Sequence, residues 1–193
     1  RNFLDEAGKL RSRPQNISYY FKPGFSWTLR ATRLYPYIIP SNCIPSVSRY
    51  MAFPKRGFEY EAIGVCASRI ASAIMRFNAE KFIQPKFLVE YVKMLPWPNI
   101  DANTRVFLKD YIDTEIKRRK RAYQNHEPFH DFLVPQKIYN FNQDENALAF
   151  EPRSLISEKG EKLVAEAYGF NASDAARIEL DVLEALAYEK DMI

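Results

Sequence analysis

An α+β fold is predicted for this chain on three observations. Residues 17–53 are rich in aromatic and β-branched side chains and are broken repeatedly by proline, the mark of short strands. Residues 59–77 and 101–124 carry apolar residues three and four positions apart, the spacing of one helix face. Residues 158–189 carry the same spacing on both sides of a Tyr-Gly pair, which reads as a helical hairpin. The 193 residues suffice for a real core, and the composition (47% apolar, 27% charged, 15% aromatic) is that of a globular protein, not a disordered one.

The strands come first. "ISYYF", "FSWTLRATRLYPYII" and "SVSRYMAF" are separated by Pro23-Gly24, Pro36, Pro40 and Pro45, so several short strands with irregular connections are expected. In 59–77, Tyr60, Ile63, Ala67, Ile70, Ile74 and Phe77 form one stripe, which predicts a single helix. Residues 81–98 return to an extended pattern and close in "MLPWP", where two prolines around Trp97 forbid a helix and make a stiff connector.

A long helix is predicted from an N-cap at Asp101 to about Gln124, with Phe107, Leu108, Tyr111, Ile112 and Ile116 on its apolar face. Its end, "KRRKR" at 117–121, suits the negative pole of the helix dipole. Pro128 ends any continuation, and 136–157 read as loop with a short strand. The hairpin follows: one helix closing at Gly169, then another capped by Asn171 or Ser173, with Ile178, Val182 and Leu186 on one face. The domain reading is a recognition domain over 1–98, a spacer helix and connector over 99–135, and a helical appendage over 136–193. The chain begins with Arg1 and no signal peptide follows, so it reads as a piece of a longer protein.

Charge is distributed unevenly. Residues 1–130 hold 22 Lys/Arg against 11 Asp/Glu, whereas 131–193 hold 6 against 13. Window 7–58 carries Lys9, Arg11, Arg13, Lys22, Arg30, Arg33, Arg49, Lys55 and Arg56 with no acid at all. Solvated surfaces normally mix signs, so nine uncompensated cations point to a polyanionic partner, with a ligand-free basic face as the alternative.

Motifs of chemistry are absent. There is no G-x-G-x-x-G, no Walker pattern and no G-x-S-x-G elbow. His126 and His130 lie four apart, but Pro128 between them spoils the helical geometry and no third ligand is evident, so no metal site is assigned. Glu115 and Lys117 mimic a nuclease pair, yet on a helix they point roughly 200° apart. Cys43 and Cys66 read as reduced thiols of a cytoplasmic protein, and no apolar run reaches membrane-spanning length. Catalytic and metal-binding residues are therefore assigned to none. The chain reads as a recognition unit.

Taken in order, "YYFKPGFSWTLRATRLYPYIIPSNCIPSVSRYMAF", "LVEYVKMLPWPNID" and "EKLVAEAYGFNASDAARIE" resemble the C-terminal target-recognition region of large bacterial N6-adenine DNA methyltransferases, both the phage-defence (BREX-type) enzymes and the single-chain type IIG restriction–modification enzymes. The resemblance spans 17 to about 180. The family's Asn-Pro-Pro-aromatic motif and cofactor loop do not occur here. It implies double-stranded DNA as partner, an N-terminal methyltransferase domain in the same polypeptide, and S-adenosylmethionine bound in that parent but no cofactor in this chain. It implies a DNA-contacting set of Lys22, Ser26, Thr28, Arg30, Arg33, Ser48, Arg49, Lys55 and Arg56, with Arg118 and Arg119 of the 117–121 cluster. Trp27 is expected to face the core, with stacking on a distorted base step as the alternative. Rival readings are an RNA or single-strand binder using Tyr19, Tyr20, Phe21 and Trp27 as platforms, a protein-docking module built on the acidic hairpin, and an independent hydrolase, which the missing motifs disfavour.

Overall fold

The computed structural model describes residues 8, 16–44, 50–79, 84–124, 133, 155–178 and 180. Within them the chain is α+β. A small antiparallel sheet has β1 (Gly24–Trp27) in the middle, flanked by β2 (Pro36–Ile39) and β3 (Met51–Ala52). Gly24 lies opposite Ile39 and Trp27 opposite Pro36, while Phe25 and Ser26 face Ala52 and Met51. Pro36 opens an edge strand, where its missing N–H costs no ladder bond. Phe25 and Trp27, two apart, point to one face and are each 2% exposed. The Trp27 indole N–H donates to the Phe87 carbonyl at 2.7 Å, so its one polar atom is satisfied inside.

The single helix expected over 59–77 is two helices: α1 (Glu59–Ala67) and α2 (Arg69–Arg76). Ser68 between them is extended (φ −71°, ψ 148°), donates its hydroxyl to the Val65 carbonyl at 2.7 Å and accepts from the Ala71 N–H at 3.2 Å. It thus ends one helix and N-caps the next. Ile63, Ala67 and Ile70 are buried as the stripe requires, but Phe77, beyond the last turn of α2, is 77% exposed. The extended pattern expected for 81–98 is also interrupted, by α3 (Val89–Met94), which stops at Leu95 because Pro96 disfavours a helical residue before it.

The long helix is α4 (Ala102–Tyr123), at 22 residues about 33 Å of rise, and Asp101 caps it by accepting from the Thr104 N–H at 2.6 Å. Leu108 and Ile112 are 0% exposed. Gly64 of α1 lies under Leu108; a Cβ there would sit 3.0 Å from a leucine methyl, so glycine sets how closely α1 and α4 cross. The hairpin is α5 (Glu158–Ala167) and α6 (172–178). Gly169 between them has φ +87°, the left-handed closure the sequence signalled. Asn171 is the cap of α6: its side chain accepts from the Asp174 N–H at 2.9 Å, and Asp174 accepts from the Asn171 N–H at 3.4 Å. Residues 125–132 and 136–154, and with them the helix break at Pro128 and the loop-and-strand reading, lie outside the described residues; so do Val182 and Leu186.

One core joins all of this. It runs from Phe25 and Trp27 through Ile63, Val65 and Ile70 to Leu108, Ile112, Leu155 and Val164. Residues from all three expected spans contribute to it, and α4 packs against both α1 and α5.

Candidate nucleic-acid interface

Topology sorts the basic window into two groups. Because β1 is antiparallel to both neighbours, the chain before β1, after β2 and after β3 leaves at the Gly24 end, while the β1–β2 connection sits at the Trp27 end. The two ends are separated by a strand of about 13 Å.

The Gly24 end gathers Lys22, Lys55 and Arg56, all exposed. Tyr19 packs on Phe53 with ring centroids 4.7 Å apart, and the Phe21 N–H donates to the Cys43 carbonyl at 3.0 Å, which ties the three chain segments together. Lys22 extends over the Tyr19 ring, its Nζ 5.5 Å from the centroid. Lys55 and Arg56 ride a turn closed by the Phe58 N–H on the Lys55 carbonyl at 3.0 Å, with Gly57 at φ +88°. Among the described residues no carboxylate pairs with Lys22, Lys55 or Arg56.

Aromatic side chains share this end. Tyr19 is 44% exposed and Phe21 59%, with the aliphatic Ile17 exposed beside them in the chain. Phe21 has φ +61°, in the left-handed region, at a cost of about 1–2 kcal/mol for a residue with a Cβ. Its ring meets the Tyr20 ring edge-on at 6.3 Å. Of the four aromatics that the sequence offered as platforms, Tyr19 and Phe21 stand exposed at this end, whereas Trp27 is buried.

The Trp27 end holds Thr28, Arg30 and Thr32 on the outer side of a pinned loop. Segment 84–87 is laid against it: the Phe87 N–H donates to the Leu29 carbonyl at 2.8 Å, Arg30 forms an antiparallel bridge with Lys86, and Arg30 Nη1 donates to the Gln84 carbonyl at 3.3 Å. From α2, Arg76 Nη1 donates to the Thr32 carbonyl at 3.2 Å, and Ser72 Oγ accepts from the Leu34 N–H at 3.1 Å. Lys86 and Arg76, outside the acid-free window, thereby join Arg30 in one basic neighbourhood.

Four of the expected contacts have other work. Ser26 is 1% exposed; its hydroxyl donates to the Tyr50 carbonyl at 2.7 Å and lies 2.8 Å from the Tyr37 hydroxyl, so it faces the interior and not a phosphate. Arg33 turns inward: Nη2 donates to the Ala67 carbonyl at 2.7 Å and to Glu161 Oε1 at 3.2 Å. Glu161, 7% exposed, also accepts from the Arg69 N–H at 2.7 Å. Burial pushes its carboxyl pKa above the ordinary value; the Arg69 N–H and the Arg33 guanidinium pull the other way and do not reverse it. Arg118 forks Glu115 at 3.0 and 2.9 Å, and Arg119 reaches the same carboxylate at 3.6 Å, leaving both side chains 26% exposed. Lys117 pairs with Asp113 instead, so the nuclease-like juxtaposition with Glu115 does not form. Ser48 and Arg49 lie outside the described residues, as do Lys9, Arg11, Arg13, His126 and His130.

Two further clusters are built for structure. Glu61, 2% exposed, accepts from the Trp97 indole at 2.9 Å and from Arg105 Nε at 2.6 Å, clamping the 96–98 connector and α4 to α1. A groove of about 300 Å³ between α2, α5 and α6 is walled by Arg69, Glu158, Lys162 and Glu166, but these already pair, Arg69 with Glu158 at 2.6 Å and Lys162 with Glu166 at 3.8 Å. Among the described residues no three His, Cys, Asp or Glu side chains converge as metal ligands, and no helix is long and apolar enough to cross a membrane. Compared with protein-family models, curated proteins and solved structures, the chain matches none.

Proposed function

We propose that this chain binds double-stranded DNA and serves as the target-recognition part of an adenine-N6 DNA methyltransferase or restriction–modification enzyme. In that reading methyl transfer and S-adenosylmethionine belong to an N-terminal methyltransferase domain of the same polypeptide, working in the cytoplasm, and this chain holds the duplex. The observation that carries the DNA part is the Gly24 end of the sheet, where Lys22, Lys55 and Arg56 converge from two chain segments with no carboxylate among the described residues to pair them. Surface cations that are not neutralised internally release counterions when they meet phosphates, which favours binding to a polyanion. The burial of Phe25 and Trp27 removes the sheet-face platform that a single-strand binder would use.

A single-strand reading draws its own support from Tyr19 and Phe21, which stand outside the core beside the same cations. Fluorescence anisotropy separates the two. Labelled duplex and single strand of equal length are titrated with the chain at several salt concentrations. The duplex is expected to bind more tightly, with affinity falling as salt rises. Tighter binding to the single strand, or no duplex binding at low salt, contradicts the proposal.

A further inference from the structure

We infer that Phe21 is a wedge that enters a base-pair step of bound duplex DNA and unstacks it, an inference that rests on the DNA-binding reading and adds deformation of the DNA to it. Backbone conformation is the first argument. At φ +61° a glycine or asparagine would serve the turn with less strain, so the fold itself gives no reason for a phenylalanine. Burial is the second. With 59% of its surface exposed, the ring returns little packing for that strain. The third is rigidity: the Phe21 N–H is held by the Cys43 carbonyl at 3.0 Å, the Lys22 N–H by the Tyr19 carbonyl at 3.4 Å, and Pro23 fixes the next step of the chain. A ring that must force apart stacked bases has to be presented on a backbone that does not yield.

Charge decides the partner. An exposed aromatic with Lys22 beside it and Lys55 and Arg56 on the adjoining turn matches an apolar target between rows of phosphates. Pyrimidine–purine steps unstack at least cost, so TA and CA steps are the predicted points of entry. A docked protein would more naturally meet an apolar patch whose rim carries both signs of charge.

The test uses the full 193-residue chain and a duplex carrying 2-aminopurine at a TA step, whose fluorescence rises when that step unstacks. Wild type is expected to bind and brighten the probe. Phe21→Ala is expected to bind about five- to tenfold more weakly and, at saturation, to leave the probe quenched, while Phe21→Leu restores part of the signal. A cooperative melt of Phe21→Ala near that of wild type shows that loss of the signal is not loss of the fold. Saturating wild type that leaves the probe quenched, or Phe21→Ala that brightens it as wild type does, overturns the wedge and leaves DNA binding standing. Failure of wild type to bind the duplex overturns both. A larger loss on single strand than on duplex assigns the ring to stacking on unpaired bases and also overturns the wedge.

Discussion

Arg30 and Arg33 are three residues apart in one loop, and the structure gives them opposite tasks. Arg30 lies on the outer side, held against the Gln84 carbonyl, whereas Arg33 reaches inward to Ala67 and Glu161. Arg30→Ala is expected to weaken duplex binding and leave the melting temperature near that of wild type. Arg33→Ala is expected to cost roughly 2–4 kcal/mol of stability, because it strips a cation from a carboxylate that is 7% exposed while Arg33 itself keeps 21% of its surface in water. Chemical denaturation of both variants checks this; equal stability of the two contradicts it. The cost should also depend on pH. The raised carboxyl pKa of Glu161 means that this group favours the fold below its unfolded value and that the benefit fades as pH rises through the folded value. The Arg33 guanidinium lowers that folded value, so removing it raises the value further, and the deficit of Arg33→Ala is expected to grow as pH rises and to shrink on acidification.

The two cysteines differ in the same readable way. Cys66 is 2% exposed and burial pushes its thiol pKa up to about 12, while Cys43 is half-buried. A thiolate-specific reagent should therefore label one thiol in the native chain and two in denaturant. Two fast thiols in the native chain would contradict the packing around Cys66.

At the scale of elements, α4 was legible because its signals are local and agree: Asp101 at the cap and a stripe repeated over many turns. The break at Ser68 was not, since α1 and α2 bury their stripes against one core and the apolar spacing continues through the break. A lone serine in "CASRI" is a weak sign of a cap beside so strong a periodicity. Ser68→Ala removes both of its hydrogen bonds at 0% exposure and is expected to destabilise by about 1–2 kcal/mol, read as a shift in the urea midpoint. Leu108→Ala, at the crossing over Gly64, should cost roughly 2–5 kcal/mol. A smaller loss for Leu108 than for Ser68 would mean that α1 and α4 do not cross as closely as described.

At the scale of the whole molecule, the described strands and helices share one core. Trp27 is buried against Phe87 and Trp97 lies 51% exposed on Glu61, so fluorescence samples the strand region and the connector, while far-UV circular dichroism samples the helices. The two transitions are expected to coincide; separate midpoints would restore independent domains. The division of basic residues between the two sheet ends belongs to this scale as well. Strand pairing, not sequence order, brings Lys55 and Arg56 beside Lys22, and Glu161, 128 positions away, takes Arg33 inward. Neither is written in local pattern, which is why the acid-free window was visible in the sequence and the site within it was not.

The most direct measurement is the salt dependence of duplex binding by wild type and by a variant carrying Lys22→Ala, Lys55→Ala and Arg56→Ala together. Each phosphate neutralised contributes about 0.9 to the slope of log K against log salt. The three cations are exposed and unpaired among the described residues, so the variant should fold as wild type does. Its slope is predicted to be shallower by about 2.7. An unchanged slope and affinity in a folded triple variant would contradict the assignment of this end of the sheet to DNA.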